Sequence, residues 1–417
     1  MTEIPGPQSS RTMRTLEAYE SRNVTFISRE FPIAWERAQG AHVVDVDGNT
    51  YIDLTAAFGV AAVGHANPRV ARAISDQASV LPHAMGDVHP AKIKATLLER
   101  LAAFSGIENA KIFLSSTGAE AVEAAMKTAM LATGRSRFAS CIGGYHGLSF
   151  GTLAIAGIQK FRTPFATRIP DDTRRFTFGD IAQARSELEG TSDIAAVVVE
   201  PIQARGGCIV PPTGYLRELK HLCDEIGALL ILDEIYTGFG RTGRRFAYEH
   251  EGVTPDILCV GKAMGGGFPI AATIARSAIM HAWPRSDGEA LHTSTYLGNP
   301  MGCAAALAVM DELDDGILTQ SQTLARTMIQ RTPQLLAHRS VIDVRGRGAM
   351  WGIQLRSGAH VNRVMLGSLR RGVLLLPCGP TGEVLSLTPP LIIAENDLLH
   401  ALNIIEDELT VLDQESS

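Results

Sequence analysis

The sequence lacks the features that would send the protein out of the cell or into a membrane. No apolar stretch approaches the ~18 to 20 residues that a membrane-spanning helix needs. The N-terminus, MTEIPGPQSS, has neither the basic region nor the apolar region of a secretory signal. Internal repeats and low-complexity tracts are also missing. These absences predict a cytoplasmic protein without a membrane partner.

Cysteine pairs and clusters of positive charge are absent as well. No C-x-x-C pair occurs among the six cysteines, so we interpret them as reduced core residues and expect neither a disulfide framework nor a metal site. They are Cys141, Cys208, Cys223, Cys259, Cys303 and Cys378. The net charge is -6, and lysine and arginine are spread along the chain without a basic stripe. Nucleic acid is therefore not an expected partner.

The chain is long for one compact core. With 417 residues, 45% of them hydrophobic and 20% charged, it has the composition of a globular protein with two domains. We predict a large domain over residues 61–325 and a small domain over residues 326–417. An N-terminal segment, residues 1–60, is expected to join the small domain.

Short apolar runs separated by helical patterns predict the core of the large domain. These runs are KIFL (111–114), RFASCI (137–142), IAAVVVE (194–200), ALLILDE (228–234) and DILCVG (256–261). Such alternation is typical of an α/β fold with a mainly parallel sheet covered by helices. Ligands of such sheets bind beyond the carboxyl ends of the strands, so chemistry is expected in the residues that follow each run.

The two ends of the chain have a different pattern. Residues 41–53, AHVVDVDGNTYID, alternate apolar and polar residues around Asp47 and Gly48, which predicts an antiparallel hairpin. From residue 341 onward, two extended segments, a helix near 359–371, further short strands and a last helix near 395–413 predict a small α+β domain. We expect the N-terminal hairpin to lie beside this domain.

Two charged residues follow neighbouring apolar runs. Asp233 and Glu234 end one run, and an acid there is costly unless it has a cationic partner. Lys262 ends the next run and precedes three glycines, where burial would lower its pKa and make it a nucleophile. Alone, Asp233 is as well explained by a helix cap and Lys262 by a surface lysine. Together they suggest a carboxylate and a lysine that hold pyridoxal 5'-phosphate (PLP).

A candidate phosphate site follows the first run, in LSSTGAEAVEAAMKTAM (114–130). The N–H groups of Gly118 and Ala119 would face an anion at the start of a helix, with the hydroxyl of Thr117 beside them. The alternative is an ordinary capped helix. In GGYHG (143–147), Tyr145 could stack on a planar ring and His146 could orient it, or the segment is simply a loop.

These motifs resemble the class III, or omega, aminotransferases of PLP fold type I. The resemblance covers nearly the whole chain, from VDGNTYIDL and GHANPRV through GYHG, EPIQ, LDEIYTGFGRTG and PDILCVGKAMGGGFP to HTSTYLGNP. It implies a seven-stranded sheet in the large domain, with PLP as the cofactor. It also implies a homodimer with shared active sites.

The resemblance assigns roles to the same residues. Lys262 is implied to be the Schiff-base lysine and proton carrier, Asp233 the partner of the pyridinium nitrogen, and Tyr145 the stacking aromatic residue. Gly118 and Ala119 are implied to bind the phosphate. Thr295 of HTSTYLGNP is implied to reach the phosphate in the neighbouring subunit.

The sequence departs from this family at three positions that bear on the substrate. Ser386 stands where many members have an arginine that holds a carboxylate. Glu200 of EPIQ would therefore lack this arginine as a partner. An unpaired Glu200 would favour a cationic, amine-rich donor. Arg205 stands at a commonly acidic position; it either replaces the missing arginine or lies in a solvated loop. Tyr236 replaces a frequent glutamine, and its phenol either shapes the pocket or packs.

The function expected from these motifs is amino transfer in two half-reactions, from an amine-bearing small molecule to a keto or aldehyde acceptor. The alternatives within PLP chemistry are a racemase or epimerase, an aminomutase and a decarboxylase, because the same fold hosts them. A non-catalytic binding protein would be expected to have lost the lysine or the aspartate, and both are present.

Overall fold

The computed structural model describes residues 4–415. Its strands are β1 (Trp35–Gln39), β2 (His42–Asp45), β3 (Thr50–Asp53), β4 (Ala110–Ser115), β5 (Arg137–Ile142), β6 (Arg174–Thr177), β7 (Ile194–Val199), β8 (Leu229–Asp233), β9 (Ile257–Val260), β10 (Ala271–Arg276), β11 (Val341–Arg347), β12 (Met350–Leu355), β13 (Val373–Leu374), β14 (Leu376–Cys378) and β15 (Val384–Leu387).

The α-helices are α1 (Pro7–Tyr19), α2 (Ala56–Gly59), α3 (Pro68–Val80), α4 (Lys92–Phe104), α5 (Gly118–Thr133), α6 (Phe150–Ile155), α7 (Gln159–Arg162), α8 (Ile181–Leu188), α9 (Tyr215–Ile226), α10 (Ser277–Met280), α11 (Pro300–Glu312), α12 (Leu318–Arg331), α13 (Gly358–Arg370) and α14 (Glu395–Glu415). Short 3₁₀ segments lie at Thr163–Phe165, Ala247–His250, Lys262–Gly265 and Thr332–Ala337, and a π-helical turn lies at Leu313–Ile317.

The central sheet has seven strands in the order β4-β10-β9-β8-β7-β5-β6. Six strands run in one direction, and β10 is antiparallel to both of its neighbours. The mainly parallel sheet is therefore confirmed. Each of the five apolar runs forms one of its strands, because continuous burial on both faces selects unbroken apolar sequence, as in β7, where every residue is buried.

Strands β6 and β10 were not expected from the sequence. Strand β6 carries two arginines and pairs only with β5 at the edge of the sheet. Strand β10, AATIAR, contains three alanines, which favour helices, and a polar threonine interrupts its apolar residues. It is extended because β4 and β9 pair with it on both sides, so tertiary pairing overrides local preference.

The two ends of the chain meet in small sheets, as expected. The predicted hairpin forms from β2 and β3, and β13 from the C-terminal part adds to it in parallel, giving the order β1-β2-β3-β13. A second sheet has the order β11-β12-β15-β14. The division that we predict at residue 325 falls inside α12 rather than in a linker.

Helix α5, which approaches the candidate site, starts at a capping box. The Thr117 side chain accepts a hydrogen bond from the N–H of Glu120, and the Glu120 carboxylate accepts from the N–H of Thr117. The helix ends at Gly134 in the left-handed conformation (φ 69°), which is common at helix C-termini. The cap therefore sets the position at which free N–H groups of α5 face the edge of the sheet.

Three further findings bear on the expected class of protein. No helix within residues 4–415 is long and apolar enough to cross a membrane. The same residues include no group of three or more histidine, cysteine or acidic side chains arranged to hold a metal ion. All six cysteines are buried and unpaired.

Candidate active site

The candidate active site lies at one edge of the central sheet. Strand β8 ends at Asp233, β9 is followed after one glycine by Lys262, and β7 is followed by Glu200. These strands are parallel neighbours, so their carboxyl ends lie side by side. The charges of Asp233 and Glu200 both act on Lys262, so the fold places the three groups within electrostatic reach of one another.

Lys262 has an unusual backbone conformation and an unusual environment. Its φ is +46°, a value that residues with a side chain rarely adopt and that is often found at functional sites. Burial lowers the pKa of its ammonium, although the charges of Asp233 and Glu200 oppose that effect. A lysine with a lowered pKa has more of the neutral amine that acts as a nucleophile or base.

Asp233 is buried and held by two contacts. Its Oδ2 lies 2.8 Å from Nδ1 of His146, and its Oδ1 accepts a hydrogen bond from the N–H of Ile235 at 3.1 Å. Burial works to lower the pKa of His146, but the hydrogen bond and charge of Asp233 outweigh it, so that pKa is raised. His146 thus holds the carboxylate of Asp233 in a fixed orientation.

Glu200 forms no ion pair within residues 4–415, but backbone groups bind its carboxylate. It is buried, its Oε1 accepts a hydrogen bond from the N–H of Tyr145 at 2.9 Å, and its Oε2 accepts one from the N–H of Ala204 at 3.1 Å. Burial raises its pKa to about 7. With both oxygens bound to backbone N–H groups, Glu200 fixes the loop that carries Tyr145.

The start of α5 offers two N–H groups to an anion. The first N–H groups of a helix have no acceptor within the helix, and those of Ser116 and Thr117 are already bound by Glu120. The N–H groups of Gly118 and Ala119 come next. A Cβ at position 118 would lie 2.8 Å from Cδ1 of Ile235, so glycine allows the helix start to approach β8 closely.

The loop with Tyr145 and His146 packs on this helix start. A Cβ at Gly147 would lie 2.7 Å from Cβ of Ala119, and Gly147 has φ +117°, a conformation open to glycine. The ring of Tyr145 packs edge-to-face against Phe161, with centroids 5.8 Å apart. The role of Gly147 was missed by the sequence reasoning, although the glycines that flank the Tyr-His pair are the signal for a tight loop.

Arg205 lies at the rim of the same site. Its side chain is exposed, and its Nη1 donates a hydrogen bond to the carbonyl of Pro377 at 3.3 Å. Across residues 4–415 it forms no ion pair with a carboxylate. Burial raises the pKa of Tyr145, and the positive charge of Arg205 works against that rise, so the two side chains lie within electrostatic reach.

Ser386 lies in the middle of β15. It is buried, and its Oγ lies 3.8 Å from Sγ of Cys208. No charge is therefore present at the position where family members have the arginine, as the sequence indicates. Two cations lie near this position: Arg205, and Arg345, which forms an ion pair with Asp343.

Thr295 is exposed, and within residues 4–415 no contact joins it to Lys262. It lies in a segment held against residues 82–89: Thr293 donates a hydrogen bond to Asp87 at 2.7 Å, and the ring of Tyr296 contacts that of His83. A role for Thr295 at a phosphate would need a second copy of the chain.

The residues at this edge fit PLP. Nε2 of the buried His146 has no hydrogen-bond partner in the described part of the chain, and the site combines a lysine of lowered pKa with a buried carboxylate. The start of α5 supplies N–H groups for a phosphate. An aldehyde, a basic ring nitrogen and a phosphate are the three groups of PLP that these features would bind.

Comparison with known proteins gives the same result over the whole chain. The family model described as aminotransferase class-III matches residues 25–409. The chain is 38% identical to an acetylornithine aminotransferase of Methanosarcina mazei, covering 90% of this chain and 91% of that protein. It is 36% identical to a putrescine aminotransferase of Pectobacterium atrosepticum, covering 91% of this chain and 83% of that protein.

Solved structures of similar fold are also aminotransferases. An ornithine aminotransferase from Toxoplasma gondii with partial PLP occupancy superposes with a TM-score of 0.89 at 27% identity, covering 97% of this chain and 95% of that one. A PLP-bound amine transaminase from an uncultivated Pseudomonas species superposes with a TM-score of 0.87 at 28% identity, covering 94% of this chain and 98% of that one.

Proposed function

Because this chain belongs to the class III aminotransferase family, we propose that it uses Lys262 to transfer an amino group from a terminal primary amine to a keto acid. It is a PLP-dependent enzyme of the transaminase type. The observation that carries the proposal is the meeting of Lys262 and Asp233 at the ends of adjacent parallel strands.

PLP supplies an aldehyde for covalent capture of amines and a ring that withdraws electrons from the carbon to be deprotonated. The residues of this chain supply the rest. We propose that the amine of Lys262 would hold the coenzyme covalently in the absence of a donor amine. The neutral Nζ takes the proton from the reacting carbon and later returns it, which its lowered pKa favours.

Asp233 is proposed to keep the ring nitrogen protonated. A carboxylate that is buried and fixed by two hydrogen bonds stabilises a nearby positive charge without having to reorient. Tyr145 would stack on the ring, and His146 would hold Asp233. The packing of Gly147 on α5 brings the Tyr145 loop to the helix start, so the stacking residue and the phosphate-binding N–H groups would hold the same coenzyme.

The phosphate is proposed to bind the N–H groups of Gly118 and Ala119, with the hydroxyl of Thr117 beside them. The Oγ1 of Thr117 accepts the capping hydrogen bond, and its hydrogen stays free for an anion. We also propose a homodimer in which Thr295 of one subunit reaches the phosphate of the other. A cytoplasmic location is part of the same proposal.

The donor that we propose is a primary amine at the end of an aliphatic chain, as the names of the acetylornithine and putrescine aminotransferases suggest. N-Acetylornithine carries a carboxylate and putrescine does not, so the two donors separate the possible roles of Arg205. Because Ser386 is neutral, we propose that Arg205 binds the carboxylate of the acceptor, and that of the donor where one is present.

The half-reaction tests this function. Adding putrescine or N-acetylornithine alone to the PLP-loaded enzyme is expected to remove the visible absorbance of the coenzyme and to release stoichiometric carbonyl product. Adding pyruvate or 2-oxoglutarate afterwards should restore the spectrum. A racemase, epimerase, aminomutase or decarboxylase would return to its starting spectrum with the first substrate alone, and that result would exclude amino transfer.

Arg205→Ala is expected to raise the KM of keto-acid acceptors by about ten- to a hundredfold, since a charged hydrogen-bonded pair contributes about 1.5 to 3 kcal/mol. The KM of a neutral aldehyde acceptor and of putrescine should stay within about twofold of wild type. Steady-state kinetics with matched acceptors measure this. Arg326→Ala, at an exposed arginine on α12, serves as the control. An unchanged KM for every keto acid would show that Arg205 binds no carboxylate.

A further inference from the structure

Tyr236 lies directly against the candidate catalytic lysine. It follows Asp233 by three residues, and Nζ of Lys262 lies over its ring at 4.2 Å from the centroid. A cation within about 6 Å of an aromatic centroid is attracted by the negative face of the ring. The sequence left open whether this side chain shapes the pocket or only packs, and the contact with Lys262 points to a role at the lysine.

The ring of Tyr236 is held in one position. Its hydroxyl lies 3.2 Å from Oγ1 of Thr388, and that Oγ1 donates to the carbonyl of Thr55 at 3.1 Å. A threonine hydroxyl has one hydrogen, so the phenol of Tyr236 must donate to Thr388. The hydroxyl is therefore committed to Thr388, and the face of the ring remains for Lys262.

Gly59 limits the ring on another side. A Cβ at position 59 would lie 3.2 Å from Cε1 of Tyr236, and the φ of Gly59 is +80°. The preceding residues Ala56, Ala57 and Phe58 also have positive φ values, which are costly for residues with a Cβ. This strained turn closes against the tyrosine, so the ring has little room to move away from the lysine.

The charged groups that face Lys262 are the carboxylates of Asp233 and Glu200. Both stabilise its ammonium, and burial opposes them. Neither carboxylate is free to follow the lysine, because His146 and backbone N–H groups hold them. The face of Tyr236 is thus a third, uncharged partner for the ammonium.

We propose that Tyr236 is a positioning residue that holds the free amine of Lys262 over its ring whenever the lysine is not bonded to the coenzyme. The contact keeps Nζ in one place after a donor has displaced it, and it stabilises the ammonium that forms when Nζ takes the proton from the reacting carbon. This inference rests on the proposed role of Lys262. The family frequently has glutamine at this position, so the contact between an aromatic ring and Lys262 is a consequence of the tyrosine in this chain.

The test compares Tyr236→Phe, which keeps the ring, with Tyr236→Leu, which keeps apolar bulk without an aromatic face. In the coenzyme-free protein, the pKa of Lys262 is read from the pH dependence of its acetylation by acetic anhydride, with surface lysines in the same digest as internal references. Tyr236→Leu should lower that pKa by about half to one and a half pH units. Tyr236→Phe should leave it unchanged.

The acid limb of the kcat profile in the PLP-loaded enzyme should move to lower pH in Tyr236→Leu and stay in place in Tyr236→Phe. If Tyr236→Leu does not fold by its melting curve, Tyr236→Gln, which also removes the ring, takes its place. An unchanged lysine pKa without the ring, or an equal fall in Tyr236→Phe, would overturn the inference.

Borohydride reduction separates this inference from the proposed function. If reduction of the wild-type holoenzyme fixes PLP on Lys262 and removal of the ring has no effect, only the role of Tyr236 is wrong. If reduction labels no peptide containing Lys262, the proposed function itself is wrong, whatever the variants at position 236 show.

Discussion

Replacing Lys262 by alanine is expected to lower kcat by at least about a thousandfold, since positioned proton transfer alone contributes about 10² to 10⁴. The variant loses both the covalent hold on the coenzyme and the amine that carries the proton. Lys262→Arg should fail to a similar extent, because arginine keeps the positive charge but stays protonated at any working pH. The measurement is steady-state kcat together with mass spectrometry of the borohydride-reduced protein, which should find no PLP on peptides of either variant.

The same substitution should leave the fold intact. Burial lowers the pKa of Lys262, so its ammonium is disfavoured in the folded protein, and removing it should not lower the melting temperature. Lys220→Ala is the matched control. Burial also works to lower the pKa of Lys220, but its ion pairs with Asp224 and Asp256 together outweigh burial and raise it. That variant should retain full activity. If Lys262→Ala retained more than one tenth of wild-type activity, Lys262 would not be a catalytic residue.

The two residues with the largest expected effects were identified from the sequence because their signal is local. An apolar run that ends in an acid, and another that ends in a lysine before three glycines, can be recognised without knowing which strands are neighbours. The parallel order of β8 and β9 then follows from the alternation of strands and helices. The placement of Lys262 and Asp233 on adjacent strands was in this sense predictable.

The environment of Glu200 was not predictable in the same way. One of its two partners is the N–H of Tyr145, 55 residues away in sequence, on a loop whose course depends on the packing of Gly147 against Ala119. Motif comparison places a carboxylate at position 200, but no local pattern shows whether backbone groups bind it. Contacts between loops depend on how separate segments pack, so they appear only in the folded chain.

The conformation of Lys262 and its contact with Tyr236 were hidden for a related reason. The positive φ of Lys262 arises where β9 turns into a short 3₁₀ segment, and intrinsic preferences argue against it for a lysine. The position of Tyr236 depends on Thr388, 152 residues later, and on a strained turn around Gly59. Residues that break local rules are expected at functional sites, where tertiary structure imposes the strain.

Replacing Asp233 by asparagine is expected to lower kcat by about a hundred- to a thousandfold, comparable to the loss of one fixed electrostatic group in other active sites. Asparagine has the shape of aspartate and can still accept the hydrogen bond from Ile235, so the loop after β8 should keep its course. The charge that keeps the ring nitrogen protonated would be lost. Stopped-flow measurement of the first half-reaction should show slow loss of coenzyme absorbance with unchanged binding of the donor.

The neighbouring acid, Glu234, provides a matched control for the substitution of Asp233. Glu234 is also buried, but its carboxylate accepts hydrogen bonds from the N–H groups of Ala247 and Tyr248 rather than from His146. Successive residues at a strand end point to opposite faces of the sheet, so Glu234 supports a loop while Asp233 faces the site. Glu234→Gln should therefore lower the melting temperature and leave the half-reaction rate within about twofold.

The pKa of His146 shows whether loss of the Asp233 charge causes the slower half-reaction. In Asp233→Asn, only the weaker effect of the Glu200 charge would oppose burial at His146, so its pKa should fall below that in the wild type. Titration of the His146 ring by NMR in the coenzyme-free protein measures this shift. A slow half-reaction with an unchanged His146 pKa would mean that the asparagine variant acts by displacing the loop. A lowered pKa together with a slow half-reaction would identify the carboxylate charge as the group that the reaction needs.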